Sequence, residues 1–258
     1  MKKTLSCIMA MLLATPLILG GCSNKVNLIS DGDFQYYYRE DRDSYAIAGI
    51  TEQGKEKDVL YFPAYYNNKL VTSMGYQTVD GYMSVRNSHY VTLKDIEATK
   101  VYIPYTISYL HLLSISFENN ENGQIYFANN DTRYLNYTVR VATFPIKYFV
   151  TPTVYEYILK NIKDYGNINK ANTLYMFNYE DAPNEGCFFI NNFEIGGLIE
   201  NTPYAPQRNG YTFDGWYKDP ECSIVWNFET DKLQQEQLDE IEEENNPETK
   251  LYAKWIKK

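Results

Sequence analysis

Between Gly210 and Trp255 the apolar side chains recur at every second position: Tyr211 with Phe213, Ile224 with Trp226 and Phe228, Leu251 with Ala253 and Trp255. A period of two puts such side chains on one face of an extended chain, so the stretch predicts half-buried strands. All three tryptophans of the protein fall inside it, which gives a small sheet an aromatic core. Asp214-Gly215 has the residue types that accept positive backbone angles, and it predicts a turn that folds the first two strands back on each other.

The residues that carry this pattern are Gly210, Tyr211, Phe213, Gly215 and Trp216, then Trp226 and Phe228, then Leu251, Tyr252 and Trp255. They spell GYTFDGWY, a Trp-x-Phe pair and a terminal LYAKW, and so resemble the internalin-type B-repeat, also called the Listeria-Bacteroides repeat. The resemblance covers roughly the last third of the chain. It implies a β-grasp-like extracellular module of a bacterial surface protein, a spacer or adhesive unit and not an enzyme.

A chain of 258 residues has room for one large or two small domains. Its 26 tyrosines and negative mean hydropathy suit a Tyr-rich β protein better than a membrane-spanning or disordered one. The formal charge of -9 argues against nucleic acid as a partner, because phosphate binding depends on clustered Lys and Arg. With only His89, His111 and four cysteines, neither a metal site nor a His-based hydrolase is expected, and no cofactor is implied.

Residues 1–21 begin with Lys2-Lys3 and carry an apolar run from Ile8 to Leu19 that is short for a spanning helix, so they predict a secretory signal peptide. Leu19, Gly20 and Gly21 before Cys22 resemble a bacterial lipobox. That implies cleavage ahead of Cys22 and attachment of diacylglycerol to its thiol; an ordinary secretory signal followed by an incidental cysteine is the other reading. Acyl chains contribute about 0.8 kcal/mol per buried methylene, enough for two or three of them to hold a protein on a membrane. Residues 22–44 form a tether and an N-terminal segment. Within it, Tyr36-Tyr37-Tyr38 predicts a strand with Tyr36 and Tyr38 on one face and Tyr37 on the other, a pattern of core packing.

Residues 45–166 carry strand-like runs punctuated by turns. Tyr45 to Ile50 precedes a polar turn at Gln53-Gly54-Lys55, then Val59-Leu60-Tyr61-Phe62-Pro63; the motif returns as Val101-Tyr102-Ile103-Pro104, with Ile107 and Leu110 after it. A proline after a short strand ends the ladder and turns the chain, as in one coil of a solenoid. The pattern resembles the BspA-type leucine-rich repeat of bacterial surface proteins, in degenerate form. Leu113 to Phe117 alternates, Asn122-Gly123 is a strong hairpin signal, and Gln124 to Phe127 reads as the returning strand. Thr153 and Glu156 form a capping-box pattern, with Val154, Ile158, Leu159 and Ile162 on one helical face. That helix reads as the cap that stops the last coil from exposing apolar surface. Asn167 to Asn172 is polar and reads as a boundary, after which residues 173–258 form the B-repeat-like module. The expected fold is therefore mainly β: a short solenoid-like leucine-rich-repeat-type region with a capping helix, then a small β-grasp-like module.

Cys187 and Cys222 both lie in that last module and outside the cytoplasm could pair, or each could be a small buried apolar residue. Gln234 to Glu248 is strongly acidic, lacks the alternating loop ligands that calcium uses, and reads as a solvated helical insertion. There is no G-x-S-x-G, no phosphate-cradling glycine loop and no H-E-x-x-H. The expected function is a lipid-anchored protein on the extracytoplasmic face of the cell envelope that binds an extracellular protein or glycan without catalysis. The competing expectations are a structural spacer, a secreted polysaccharide hydrolase and a solute-binding lipoprotein.

Overall fold

The computed structural model describes residues 26–79, 86–93, 95–107, 113–114, 123–132, 146–163, 166–233 and 248–258. The chain enters through three antiparallel strands, β1 (Leu28–Asp31), β2 (Phe34–Arg39) and β3 (Ser44–Ile50). A short helix, α1 (Glu52–Lys55), stands where the sequence predicted a turn; the Thr51 hydroxyl accepts from the Gly54 amide and starts it. Gly54 is needed there, because a Cβ would lie 2.2 Å from the Asp33 carbonyl oxygen and 2.8 Å from Ile50 Cγ2. After β4 (Val59–Tyr61), the pair β5 (Tyr65–Tyr66) and β6 (Lys69–Met74) joins the first sheet, with β6 parallel to β3. Residues β7 (Tyr76–Val79), β8 (Arg86–His89) and β9 (Val91–Thr92) follow before the main sheet resumes.

That main sheet is parallel throughout. It contains β4, β10 (Lys100–Ile103), β12 (Gln124–Phe127), β13 (Lys147–Val150) and β14 (Ile168–Lys170), stacked in chain order. Its register runs Tyr61↔Tyr102↔Tyr126↔Phe149, and Pro63 and Pro104 consequently leave their strands at the same level. Asn122 lies outside the described residues, but Gln124 to Phe127, expected as the returning arm of a hairpin, has no antiparallel partner. Instead β11 (Leu113–Ser114) lies parallel to β9, and both neighbours of β12 are parallel strands. Asn-Gly favours a tight turn only where the arms can pair antiparallel; here each arm finds a partner in a more distant strand.

Alternation divides the sheet's two faces. Leu60, Val101, Ile103, Ile125, Phe127, Tyr148 and Val150 point into one core with Phe34, Ile47, Val71 and Ile158. Tyr102, Tyr126 and Phe149 point into a second. A parallel sheet covered on both sides is the usual condition for such strands. Tyr36 and Tyr38 face the first core, and Tyr37 stacks on Tyr76 from the other side, 4.4 Å between ring centres. Helix α2 (Pro152–Asn161) covers the same core with Val154 and Ile158. Its cap is Thr151, whose hydroxyl accepts from the Val154 amide, and not Thr153. Proline at the first helical position fixes this, because Pro152 has no N–H to lose there. Leu159, expected on the buried face, is 51% exposed.

Ile168–Lys170, within the polar stretch read as a boundary, is the last strand of the parallel sheet, and the next sheet begins at Thr173. That sheet has the order β16-β15-β18-β17, from β15 (Thr173–Met176), β16 (Cys187–Asn191), β17 (Tyr211–Tyr217) and β18 (Thr249–Lys257). Its first and last strands, β15 and β18, are parallel neighbours at the centre. Asp214-Gly215 does not turn the chain. It is a bulge inside β17, where the pairing with β18 slips between Phe213 and Gly215 and Gly215 takes φ +125°. Ile224, Trp226 and Phe228 do not form a strand either. Val225 makes a single bridge to Tyr217, Ile224 and Val225 are exposed, and Trp226 alone is inserted into the core.

Candidate functional site

Strands in a sheet stand about 4.8 Å apart, so rings at one register level of a parallel sheet must stack. Tyr61, Tyr102, Tyr126 and Phe149 do so, with ring centres 4.8, 4.4 and 4.8 Å apart and planes within 18°. The C-terminal sheet lies on this ladder. Phe189 of β16 stacks on Tyr102 at 5.1 Å, the Tyr102 hydroxyl donates to Asn191 Oδ1 at 3.0 Å, and the Tyr204 hydroxyl donates to the Phe62 carbonyl at 3.4 Å. Burial raises the phenol pKa of Tyr102, and also those of Tyr126, Tyr175 and Tyr204, well above the ordinary tyrosine value. The aromatic face of the parallel sheet is therefore an internal interface.

Beside this interface the loops leave a cleft of about 620 Å³. Tyr65 and Leu70 of the β5–β6 pair form one wall, Tyr105 and Thr106 follow β10, Asn129 to Asp131 follow β12, and Pro183 to Glu185 come from the C-terminal sheet. The parts hold one another. The Tyr65 and Tyr105 hydroxyls share a hydrogen bond, and Asn129 donates to the Tyr105 carbonyl. Asn184 donates to the Ala128 and Cys187 carbonyls at 2.7 and 2.8 Å and accepts from the Asn130 amide at 2.7 Å. Asn184 and Glu185 both have positive φ, 57° and 53°, a conformation these ties maintain. Glu185 Oε2 accepts from Asn130 Nδ2 at 3.2 Å and from Thr153 Oγ1 at 3.1 Å. Thr106 Oγ1 is buried with no hydrogen-bond partner. Aromatic rings with neutral amides and two carboxylates, Asp131 and Glu185, suit a polar uncharged ligand and repel phosphate.

The sequence-predicted residues occupy other places. Trp216, Leu251 and Trp226 are buried, while Phe213, Phe228 and Trp255 pack on the same core from its edge. Gly210 takes φ +77° at the turn into β17. These are structural positions. Tyr211 and Tyr252 are half-buried in β17 and β18. Cys187 and Cys222 are free thiols. Burial pushes the Cys187 thiol up to about 12, and Cys222 lies against the Ala253 carbonyl and Asn178. Leu19, Gly20, Gly21, Cys22, His111 and residues 234–247 of the acidic stretch lie outside the described residues. Among the described residues no group of three His, Cys, Asp or Glu could hold a metal ion. Sequence reasoning missed the cleft, because its walls come from four loops; the turn-forming runs Asn129-Asn130-Asp131 and Pro183-Asn184 were its only local marks.

The C-terminal sheet, with its aromatic core and central parallel pair, can be set against known families. Residues 175–239 match the Listeria-Bacteroides repeat domain. The match begins inside β15, takes in β16 and β17, and ends inside the acidic stretch, before the β18 strand that completes the sheet. This repeat is found in bacterial surface proteins. A search of curated proteins gives no match. Among the described residues no helix is long and apolar enough to cross a membrane.

Proposed function

We propose that the chain is a lipid-anchored bacterial surface protein that binds an extracellular protein or glycan, without catalysis, in the cleft between the β5–β6 pair, the parallel sheet and the C-terminal sheet. The observation that carries this reading is the shared construction of the cleft: Tyr65 and Tyr105 come from one part, Asn184 and Glu185 from the repeat module. The surface location of the repeat family supports extracytoplasmic display, with Cys22 as the lipidated anchor. The parallel steps from Lys100 to Gln124 to Lys147, each about two dozen residues, fall in the range of a leucine-rich-repeat coil. They support a short solenoid, with α2 packed beside its last strand as the cap. The parallel pair of first and last strands at the centre of the C-terminal sheet supports its β-grasp-like reading.

The test is an array of glycans and extracellular proteins probed with the full chain and with Tyr65→Ala. A saturable ligand that Tyr65→Ala loses while remaining folded is expected. Silence across the array would overturn binding and leave a spacer role.

One observation favours a second reading, a polysaccharide hydrolase: Asp131 and Glu185 line the same cleft from opposite parts of the chain. Against it, Glu185 Oε2 is already engaged within the protein by Asn130 Nδ2 at 3.2 Å and Thr153 Oγ1 at 3.1 Å and is not turned to a substrate. Release of reducing ends from a polysaccharide, abolished in Glu185→Gln, would establish hydrolysis.

A further inference from the structure

At the far end of β17 and β18 the side chain of Arg208 lies among aromatic rings. Its guanidinium carbon is 3.8 Å from the ring centre of Tyr211, 4.3 Å from Tyr179 and 5.9 Å from Trp255. These rings are fixed by the fold. Tyr211 stands opposite Lys257 and Phe213 opposite Trp255 in the β17–β18 ladder. The Trp255 indole N–H donates to the Phe177 carbonyl, and Tyr179 meets Trp255 edge-on at 6.0 Å. A guanidinium held against ring faces presents what the rings leave uncovered, its in-plane fork of N–H donors.

Arg39 and Arg42 each reach Asp41, whereas Arg208 has no ion pair or side-chain hydrogen bond among the described residues. Lys257, on the same face as Tyr211 and Trp255 by strand alternation, is exposed and equally without a carboxylate, while Lys254 is drawn off to Asp214 at 3.7 Å. In a chain of net charge -9, this end of the repeat module gathers positive charge that meets no carboxylate among the described residues, beside half-buried aromatic rings. A planar fork of donors selects a carboxylate, which it can engage through two parallel hydrogen bonds. The flanking rings select what carries that carboxylate. Flat apolar faces and edges suit the C–H face of a sugar ring. The Tyr211 amide, the backbone donor nearest the guanidinium in sequence, is already bonded to the Arg208 carbonyl at 3.1 Å and is not offered to a ligand.

We propose that Arg208, flanked by Tyr179, Tyr211 and Trp255 and assisted by Lys257, is a binding site for a carboxylate-bearing saccharide. This site is separate from the junction cleft and rests on the surface display proposed above. The test titrates the full chain with an oligogalacturonate, with the same oligosaccharide after reduction of its carboxyls to alcohols, and with poly-glutamate, following tryptophan emission and heat. Saturable binding of the oligogalacturonate alone is expected, weakening as salt is raised. Arg208→Gln should weaken it roughly tenfold to a hundredfold, as loss of a charged hydrogen-bonding partner does, and Arg208→Lys should recover only part, because an ammonium lacks the fork. Dichroism and urea unfolding of Arg208→Gln check that the module remains folded. Equal binding of the reduced oligosaccharide or of poly-glutamate, or undiminished binding by folded Arg208→Gln, overturns the proposal. No oligogalacturonate binding together with an array ligand lost in Tyr65→Ala overturns this site alone; silence in both experiments overturns the binding function as well.

Discussion

Tyr102 joins the two halves of the molecule, and replacing it tests whether they are one cooperative unit. It is 3% exposed, stacks between Tyr61 and Tyr126, carries Phe189 of the repeat module on its ring, and donates its hydroxyl to Asn191. Truncating a buried aromatic ring to Ala costs about 3–5 kcal/mol. Removing only the hydroxyl costs about 1 kcal/mol, because Asn191 Oδ1 keeps the Asn192 amide as a donor at 2.8 Å. At about 2–4 °C per kcal/mol for a chain of this size, Tyr102→Ala should lower Tm by roughly 6–20 °C and Tyr102→Phe by about 3 °C. The assay is urea unfolding followed in parallel by far-ultraviolet dichroism and by tryptophan emission. All three tryptophans lie in the repeat module, whereas Tyr102 lies in the parallel sheet. The two probes should give coincident transitions in the parent chain, and Tyr102→Ala should move both by the same amount. An emission transition that stays in place while the dichroism transition falls to lower urea would show that the ladder does not couple the modules.

The helix cap is separable by a pair of substitutions: Thr151→Ala should cost about 1–2 kcal/mol, while Thr153→Ala, on the exposed first turn, should cost under about 0.5 kcal/mol in the same urea titration. Gly54→Ala drives a methyl group onto the Asp33 carbonyl and should destabilise by about 1–3 kcal/mol, seen as a lower urea midpoint with an unchanged slope. Alkali should unfold the protein through its ladder. The phenols of Tyr102, Tyr126, Tyr175 and Tyr204 have folded pKa values above the unfolded value of about 10, so their stabilising contribution is complete below pH 10 and is lost as pH rises beyond it. Absorbance at 295 nm should show exposed tyrosines ionising near pH 10 and the ladder tyrosines only together with loss of tryptophan emission; one reversible step for all 26 in a folded protein would contradict the burial.

The period-two runs were legible because alternation is a local property. Val101 to Ile103, Gln124 to Phe127 and Leu251 to Trp255 all became strands, and Tyr37 and Tyr38 went to opposite sides as their spacing required. Partner choice was not local. Asn122-Gly123 predicted an antiparallel return, yet Gln124 lies in register with Lys100 and Lys147. At Asp214-Gly215 the local requirement, a positive φ at Gly215, was read correctly, but a turn and a bulge share it; the continuous pairing with β18 on both sides decides for the bulge. At the helix start the Thr153–Glu156 spacing points to one cap, while Pro152, which suits the first helical position, makes Thr151 the cap instead. Nothing in the sequence signalled that the ladder face would be covered, because Phe189 and Tyr102 meet from strands far apart in the chain.

That covering decides where a ligand can act. With the ladder under the repeat module, a ligand reaches only the rim, and the junction cleft is the part of the rim built by both sheets. A ligand there holds the two sheets together and should stabilise them jointly, by about 2.7 kcal/mol at one hundred times its Kd. Tryptophan emission and far-ultraviolet dichroism should then move to higher urea in step, and Tyr65→Ala should abolish the shift in both. A carboxylated sugar at Arg208 touches the repeat module only, on residues outside the lining of the cleft. It should raise stability to the same extent at equal saturation, and its effect should vanish in Arg208→Gln but survive Tyr65→Ala. A spacer has neither response, so the two variants assayed against one pair of transitions separate a cleft receptor, a saccharide-binding repeat end and a structural spacer. If Tyr65→Ala and Arg208→Gln were both to leave every ligand-induced shift intact, the ligand would bind elsewhere and both sites would fall together.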